Sequence, residues 1–381
     1  MELSMTQKTL IIDDAIPYAQ AMFSHLGEIK LVPGRDINAD LVRHADALIV
    51  RSRTQVNAAL LDSSSVKFVG STVVGLDHID QAWLARNNIR FYSAQGCNAN
   101  SVAEYVISAL LVLAEQHHID LSQQTLGIIG VGHVGKLLRQ KARALGMTCL
   151  LNDPPRQQAE GQAEFTGLNN LLQQADIISV HTPLTKTGEF ASFDLLNSNN
   201  MSLIKSSAIL INAARGGIIN EQAWCQLHNR ANVIDCWQNE PHINAELYAK
   251  ADIATAHIAG HSLEAKVAGS SMVYQQLCDF WQVTAQNDWQ KQLPPAPKPL
   301  TPPTSHKTQT ALAQILKQAY DIVADDQAIR DKSVNNVQNQ FELHRRQYPI
   351  RREWRWHKLE SSAQFELNKT LKALGFQIKD D

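Results

Sequence analysis

The stretch Leu126-Gly127-Ile128-Ile129-Gly130-Val131-Gly132-His133-Val134-Gly135 decides how the rest of the chain is read. An apolar run ends in Gly-x-Gly-x-x-Gly, residues 136–145 read as a helix, and a second short apolar run, 148–152, stops at Asp153. Strand, glycine turn, helix, strand and acid in that order make a dinucleotide-binding pattern. Gly130 suits a tight turn, Gly132 lets a pyrophosphate approach the backbone, and Gly135 lets the helix pack closely on the strand. The phosphates would meet unpaired N–H groups at a helix N-terminus, where the dipole favours negative charge. Asp153, about twenty residues on, suits a ribose hydroxyl and would repel a 2′-phosphate, so NAD is expected rather than NADP. The bland alternative is a glycine-rich turn that binds nothing.

Working outward, the same rhythm of short apolar runs and helices recurs on both sides. Upstream, strands are expected at 9–12, 28–32, 47–50, 67–69 and 89–92, with helices at 17–26 and 81–87. A long buried helix, 103–115, leads into the glycine-rich strand, with Val106, Leu110 and Leu113 on one face. Downstream, strands are expected at 125–129, 148–151, 177–180, 209–212, 233–236 and 253–256, and a helix at 262–282 leaves this part of the chain. The fold class is therefore α/β: two doubly wound, Rossmann-like domains around a cleft. The substrate-binding domain would comprise 1–101 and 262–292, and the dinucleotide domain 102–261. Six prolines in 293–305 mark a semi-rigid extended linker. Residues 306–381 form a third, small α+β unit. Leu312, Leu316, Ala319 and Val323 keep helical spacing there, and Phe365, Leu367, Leu371 and Leu374 form another apolar set. A unit of that size is near the lower limit of independent stability and is expected to pack on something.

The chain of 381 residues is 44% hydrophobic, enough for large cores, and its net charge of -2 gives no general attraction to nucleic acid or anionic lipid. Arg345, Arg346, Arg351, Arg352, Arg355 and Lys358 lie close to Trp354 and Trp356. Such a run is more often a solvated face or a set of interface pairs than a nucleic-acid surface. The five cysteines are scattered, as in a reducing cytoplasm. Residues 1–8 lack the apolar core of a signal peptide, and no apolar run reaches membrane-spanning length. His117 and His118 are neighbours that point apart on a helix, so no metal is expected.

Three polar residues follow strands of the second sheet, where ligands bind in such folds. Arg215 lies in Asn212-Ala213-Ala214-Arg215-Gly216-Gly217, Glu240 in Trp237-Gln238-Asn239-Glu240-Pro241, and His257 in Thr255-Ala256-His257-Ile258-Ala259-Gly260. An alcohol that gives up hydride must also lose a proton, which needs a base poised near neutrality, such as His257. A carboxylate on the other ring nitrogen, here Glu240, fixes the tautomer and stabilises imidazolium. A guanidinium, here Arg215, can hold a substrate carboxylate bidentately. Taken singly, each residue also has an ordinary structural reading.

At these residues the sequence resembles the D-2-hydroxyacid dehydrogenase family. The matching pieces are Val74-Gly75-Leu76-Asp77-His78-Ile79-Asp80, Asn100-Ser101-Val102-Ala103-Glu104, the glycine-rich loop, His181-Thr182-Pro183-Leu184, Asn212 to Gly217, and Asn239-Glu240-Pro241 followed by His257. The resemblance implies an NAD-dependent enzyme in which Arg215 and Glu240 are catalytic and His257 transfers the proton. It implies NAD contacts from Gly130, Gly132, His133, Val134, Gly135, Asp153, Thr182, Ala213, Ala214, Arg215, Asp235 and Gly260. Asp235 could also be a strand-end cap. The stretches around Ser52, after Asp153 and at Tyr348-Pro349-Ile350-Arg351-Arg352-Glu353-Trp354 look like a branch acting on a phosphorylated 2-hydroxy acid. In that branch the last domain is a dimerisation module, which implies a homodimer. Substrate contacts are implied for Ser52, Val73 and His261, and Arg51 beside Ser52 suits the substrate phosphate. Val73 stands where the family carries threonine, with Ser71 and Thr72 beside it, and His261 stands where tyrosine is expected. Two alternatives remain: a dehydrogenase of another 2-hydroxy acid such as phosphoglycerate, or a non-catalytic NAD-sensing protein.

Overall fold

In a computed structural model, residues 8–161, 164–330, 336–360 and 364–379 are described. The expectation about a leader at residues 1–7 lies outside them. The chain divides into two compact units, one of residues 1–98 with 263–295 and the other of 99–262 with 296–381.

The first unit is built on a five-stranded sheet of β1 (Thr9–Asp13), β2 (Glu28–Val32), β3 (Ala47–Val50), β4 (Phe68–Ser71) and β5 (Arg90–Ser93), in the order β2-β1-β3-β4-β5. Every pairing is parallel. The inner strands β1, β3 and β4 are buried on both faces, which explains their near-continuous apolar runs, while the edge strands β2 and β5 are partly exposed. Leu10 and Ile12 point into a core shared with Phe23, Phe68, Val273 and Leu277, while Ile11 points the other way, towards Val42, Leu48 and Leu84. Helix Leu263–Trp281 supplies Val273, Tyr274, Leu277 and Cys278 to the first of these cores. The helix expected over 17–26 is shorter, Ala19–Phe23, followed by a 3-10 turn.

The second unit carries β6 (Thr125–Ile129), β7 (Thr148–Asn152), β8 (Ile177–Val180), β9 (Ile209–Asn212), β10 (Ala231–Ile234) and β11 (Ile253–Ala254), in the order β11-β10-β9-β8-β6-β7. These strands are parallel as well. Connections reverse direction between β6 and β8, and a doubly wound sheet opens a ligand crevice at such a switch point. On the outer side of β7, Thr166 N–H donates to Leu151 O at 2.7 Å, and Asn152 Nδ2 donates to Thr166 O at 2.8 Å. Helix Ala99–His117 is longer than the sequence indicated, and it is buried nearly all round.

The reason for that burial lies at the far end of the chain. Residues 296–379 pack in the same compact unit as the dinucleotide-binding sheet. Helix Thr308–Ala319 lies along Ala99–His117, and Gln309 tethers it by bonding Leu121 N and Ile119 O. Helices Ile322–Arg330 and Val337–Arg346 follow, then β12 (Lys358–Glu360), helix Phe365–Leu374 and β13 (Gln377–Lys379), with β12 and β13 parallel. Trp354 is fully buried; its ring stacks on Phe376 at 5.4 Å and has Lys141 Nζ 4.9 Å from its centroid.

Three sequence readings change here. Leu367, Leu371 and Leu374 are buried but Phe365 is 75% exposed, because it opens its helix on the outer face. The helical spacing through Val323 is broken at Tyr320, so Val323 belongs to the next helix. The basic run is only in part a solvated face: Arg346, Arg355 and Lys358 are exposed. Arg351 and Arg352 are buried, Arg351 stacks 3.9 Å over Tyr320, Arg352 lies over Trp356, and Arg355 pairs with Glu353 at 3.0 Å. Among the described residues no helix is long and apolar enough to cross a membrane. None of the five cysteines is in a disulfide.

Candidate active site

The glycine-rich turn follows β6. Gly130 has φ +89°, and a Cβ there would stand 2.7 Å from both His181 C and Thr182 N, so both conformation and space require glycine. A Cβ on Gly135 would overlap Gly130 O, so the helix starts directly against the turn. At Gly132 a Cβ would meet nothing within 4 Å. Helix His133–Ala144 has Gly132 as its N-cap and no side-chain cap, so His133, Val134 and Gly135 present its first N–H groups. Open space over uncapped N–H groups suits a pyrophosphate.

Asp153 caps the next helix, accepting from Arg156 N at 3.1 Å, and its other oxygen accepts from Val131 N at 2.8 Å. An ionised carboxylate has about four acceptor positions, so ribose hydroxyls can still be taken. Arg156 donates to Val131 O at 2.7 Å and pairs with Glu160, which braces the turn. Past β8, Thr182 Oγ1 is buried without a hydrogen-bond partner. A buried hydroxyl left in that state calls for an explanation, and a ligand group beyond the strand end is a physical one. These features fit NAD. Ala213 and Ala214 follow β9, and Asn212 fixes their turn by accepting Ala214 N–H at 3.1 Å and donating to Arg215 O at 3.0 Å.

Asp235, just past β10, is 1% exposed and has an immediate structural task of the strand-end kind. Its oxygens accept from Thr255 Oγ1 at 2.7 Å, Ile258 N at 2.7 Å and Ala259 N at 3.0 Å. It therefore ties down the loop that carries His257 and leads into Gly260. His257 itself has φ 55°. A non-glycine residue held in the left-handed region costs about 1–3 kcal/mol and is found where function demands the pose.

That pose sets His257 Nδ1 against Glu240, at 2.8 Å from Oε2 and 3.1 Å from Oε1. Glu240 Oε1 also accepts from Trp237 N at 2.8 Å. Burial pushes the Glu240 carboxyl up, but His257, Arg345 and the Trp237 N–H outweigh it, and its pKa is lowered. Arg345, on helix Val337–Arg346, places Nη1 3.9 Å from Glu240 Oε2. Arg345 belongs to the basic run read as a solvated face or a set of interface pairs, and nothing in its local spacing marks it. The Arg215 guanidinium donates to Ala214 O at 2.7 Å, and its charge acts on the Cys236 thiol. The ligating atoms of Cys236, Glu240 and His257 all lie within 4.8 Å of one another. Burial drives the Cys236 thiol well above its ordinary pKa.

His261 follows in the same unit, with its ring edge-on to Tyr348 at 5.7 Å. Ser52, Arg51 and Val73 belong to the first unit. Ser52 is exposed, and Arg51 Nη1 reaches Ala15 O at 3.4 Å. Val73 offers its carbonyl, which accepts from Ser71 Oγ at 3.3 Å and Ser93 Oγ at 3.1 Å.

Over residues 111–259 the chain matches the profile of the D-isomer specific 2-hydroxyacid dehydrogenase NAD binding domain, and over 293–375 that of a domain of unknown function. It is 54% identical to the erythronate-4-phosphate dehydrogenase of Hydrogenovibrio crunogenus, over 97% of this chain and 99% of that protein. It is 44% identical to the protein of that name from Proteus mirabilis, over 91% of this chain and 92% of the other. Its fold is similar to that of NAD+-bound 3-phosphoglycerate dehydrogenase from Entamoeba histolytica, with a TM-score of 0.62 at 22% identity, covering 72% of this chain and 95% of that one. The chain is thus an NAD-dependent oxidoreductase on a D-2-hydroxyacid dehydrogenase scaffold, and it belongs to the erythronate-4-phosphate dehydrogenase family.

Proposed function

We propose that the chain oxidises 4-phospho-D-erythronate to 3-hydroxy-2-oxo-4-phosphonooxybutanoate, a step towards pyridoxal phosphate. The observation that carries the reading is the Glu240 carboxylate on His257 Nδ1 at 2.8 Å, beyond the strand ends of a dinucleotide-binding sheet. Near-complete coverage by relatives named for that activity supports the choice of substrate.

In this reading NAD, when bound, accepts the hydride from C2 of the substrate. His257 uses Nε2 to take the C2 hydroxyl proton, because Nδ1 is committed to Glu240. Glu240 fixes the Nδ1–H tautomer and stabilises the imidazolium that forms. Arg215 pairs with the C1 carboxylate and polarises the C2 oxygen. One proton and one hydride leave the alcohol, so the products are the 2-oxo acid, NADH and a proton. The N–H groups of His133, Val134 and Gly135 hold the pyrophosphate, Asp153 the adenosine ribose, and Thr182, Ala213, Ala214, Asp235 and Gly260 line the rest of the cofactor site. Ser52, Val73 and His261 contact the substrate, and Arg51 contacts its phosphate.

We also read the chain as a cytoplasmic homodimer joined through its last domain. Five cysteines outside disulfides support a reducing compartment. Leu343, Ile350, Trp356 and Phe365 are large apolar residues 45%, 69%, 39% and 75% exposed, all in that domain, as a covered face would have. Sedimentation of the purified chain at the monomer mass would overturn the dimer.

The activity is tested by NADH formation from NAD and 4-phosphoerythronate, with a keto-acid acceptor present to recycle tightly held NADH. Turnover is expected, with a kcat/KM at least about 10-fold above that for 3-phosphoglycerate. A higher kcat/KM for 3-phosphoglycerate would reverse the substrate assignment. Arg51→Ala is expected to raise KM for the phosphorylated substrate, and an unchanged KM removes Arg51 from the phosphate site.

A further inference from the structure

We infer that Arg345, from the C-terminal domain, is a positioning residue for the proton-transfer pair: its guanidinium, held beside the Glu240 oxygen that bonds His257 Nδ1, opposes the positive charge on the imidazole that the carboxylate favours. The inference rests on the reading of Glu240 and His257 as that pair. It gives an electrostatic task to a segment whose family model is a domain of unknown function, since Glu240 and His257 fall within 111–259 and Arg345 falls within 293–375.

Arg345 Nη1 lies 3.9 Å from Glu240 Oε2, the same oxygen that stands 2.8 Å from His257 Nδ1. The distance is too long for a hydrogen bond, so Arg345 acts as a charge and leaves the carboxylate oxygens to His257 and Trp237. Both side chains are largely shielded, 22% exposed for Arg345 and 19% for Glu240, so water screens the pair only in part.

The helix that presents Arg345 is fastened on two sides. The neighbouring His344 bonds the buried Asp325 through Nε2 at 3.1 Å, and Asp325 also accepts from Tyr320 at 2.7 Å and Tyr348 at 2.8 Å. Phe341 is buried one turn earlier, and Gln338 Nε2 bonds His242 Nδ1 in the loop just past Glu240. Adjacent residues diverge on a helix, so anchoring His344 inward leaves Arg345 aimed at the dyad.

The other charged and titratable groups around the pair do not replace it. Cys236 is a thiol kept protonated by burial. Glu221, raised by burial, accepts from Gln238 N at 2.6 Å. Asp235 is engaged by Thr255, Ile258 and Ala259. Arg215 and Arg345 both lower the Cys236 thiol, and Arg345 is the guanidinium that joins His257 in lowering Glu240. Among the described residues, Glu240 forms ion pairs with His257 and Arg345.

A cation beside a carboxylate–imidazole pair favours the carboxylate and opposes imidazolium. Removing Arg345 must move the titration of His257 upwards. The test follows His257 by NMR in histidine-labelled protein, with its signals identified by their loss in His257→Asn, for wild type, Arg345→Gln and Arg345→Lys. The midpoint is expected to rise by about half a unit to one unit in Arg345→Gln and by less than half of that in Arg345→Lys. The acid limb of kcat/KM should move by the same amount. An unchanged midpoint in Arg345→Gln overturns the inference, including the case in which activity merely falls equally at every pH. Arg345→Met, which keeps the aliphatic stem, gives the same readout if the glutamine variant folds poorly. NMR requires no turnover, so a wild type inactive on 4-phosphoerythronate would sink the substrate assignment while the titration still decides the role of Arg345.

Discussion

Two glycines two positions apart have opposite consequences. At Gly130 a methyl group meets the backbone of His181 and Thr182 and the φ is +89°. Gly130→Ala is therefore expected to destabilise the chain by about 1–3 kcal/mol or more, seen as a lower melting temperature without any ligand. At Gly132 a methyl group meets open space, and φ is −76°. Gly132→Ala should melt as wild type does but bind NAD at least about 10-fold more weakly by calorimetry, because only the cofactor occupies that space. Wild-type NAD affinity in Gly132→Ala would remove the pyrophosphate from this turn. At Glu240 the expected change is catalytic. Glu240→Gln can still accept from His257 Nδ1, but it cannot stabilise imidazolium by charge, and kcat should fall by about 10²-fold or more with the melting temperature nearly kept.

At the scale of elements, the start of helix Ala99–His117 is gripped by the C-terminal segment. Glu353 accepts from Asn100 Nδ2 at 2.9 Å and Ser101 Oγ at 2.7 Å, while Arg351 donates to Ala259 O at 3.0 Å and Ser101 O at 2.6 Å. One turn on, Glu104 accepts from Asn100 Nδ2 and Trp354 N. Burial, aided by the charge of Glu353, pushes Glu104 up to about 8 against the pull of Lys141 and Arg351. Between the unfolded value near 4.5 and the folded value near 8, the folded chain holds a proton that the unfolded chain has released. The stability from this group is complete below the lower value and is lost as pH rises to the upper one. Glu104→Gln removes this dependence, so its melting temperature should gain on wild type steadily from pH 5 to pH 8.5. A constant difference across that range would show that Glu104 is ionised in the folded chain.

At the scale of the molecule, residues 296–379 share a compact unit with the dinucleotide-binding sheet and are not an appendage. Trp354 and Leu371 are buried in its core beside Leu138 and Ala142. Ending the chain after Pro295 would expose the outer side of helix Ala99–His117 and strip away the partners of Ser101, Glu104 and Lys141. The truncated chain is expected to be insoluble or to lack a cooperative melt. A soluble truncation that binds NAD with wild-type affinity would show that the sheet folds without its C-terminal cover.

The sequence determined the sheet architecture and the dyad, because both are written in local order. Strand positions follow from short apolar runs, the cofactor turn from three glycines at fixed spacing, and the placement of Arg215, Glu240 and His257 from their positions just past strand ends. What it could not determine is whatever depends on residues far apart along the chain. Arg345 beside Glu240, Arg351 and Glu353 at the head of helix Ala99–His117, and Tyr348 against His261 carry no local signature, since a buried arginine and a solvated one look alike in a basic run. Only the packing of 296–379 onto the second sheet brings those groups out of water and against their partners, and desolvation is what separates them from ordinary surface groups.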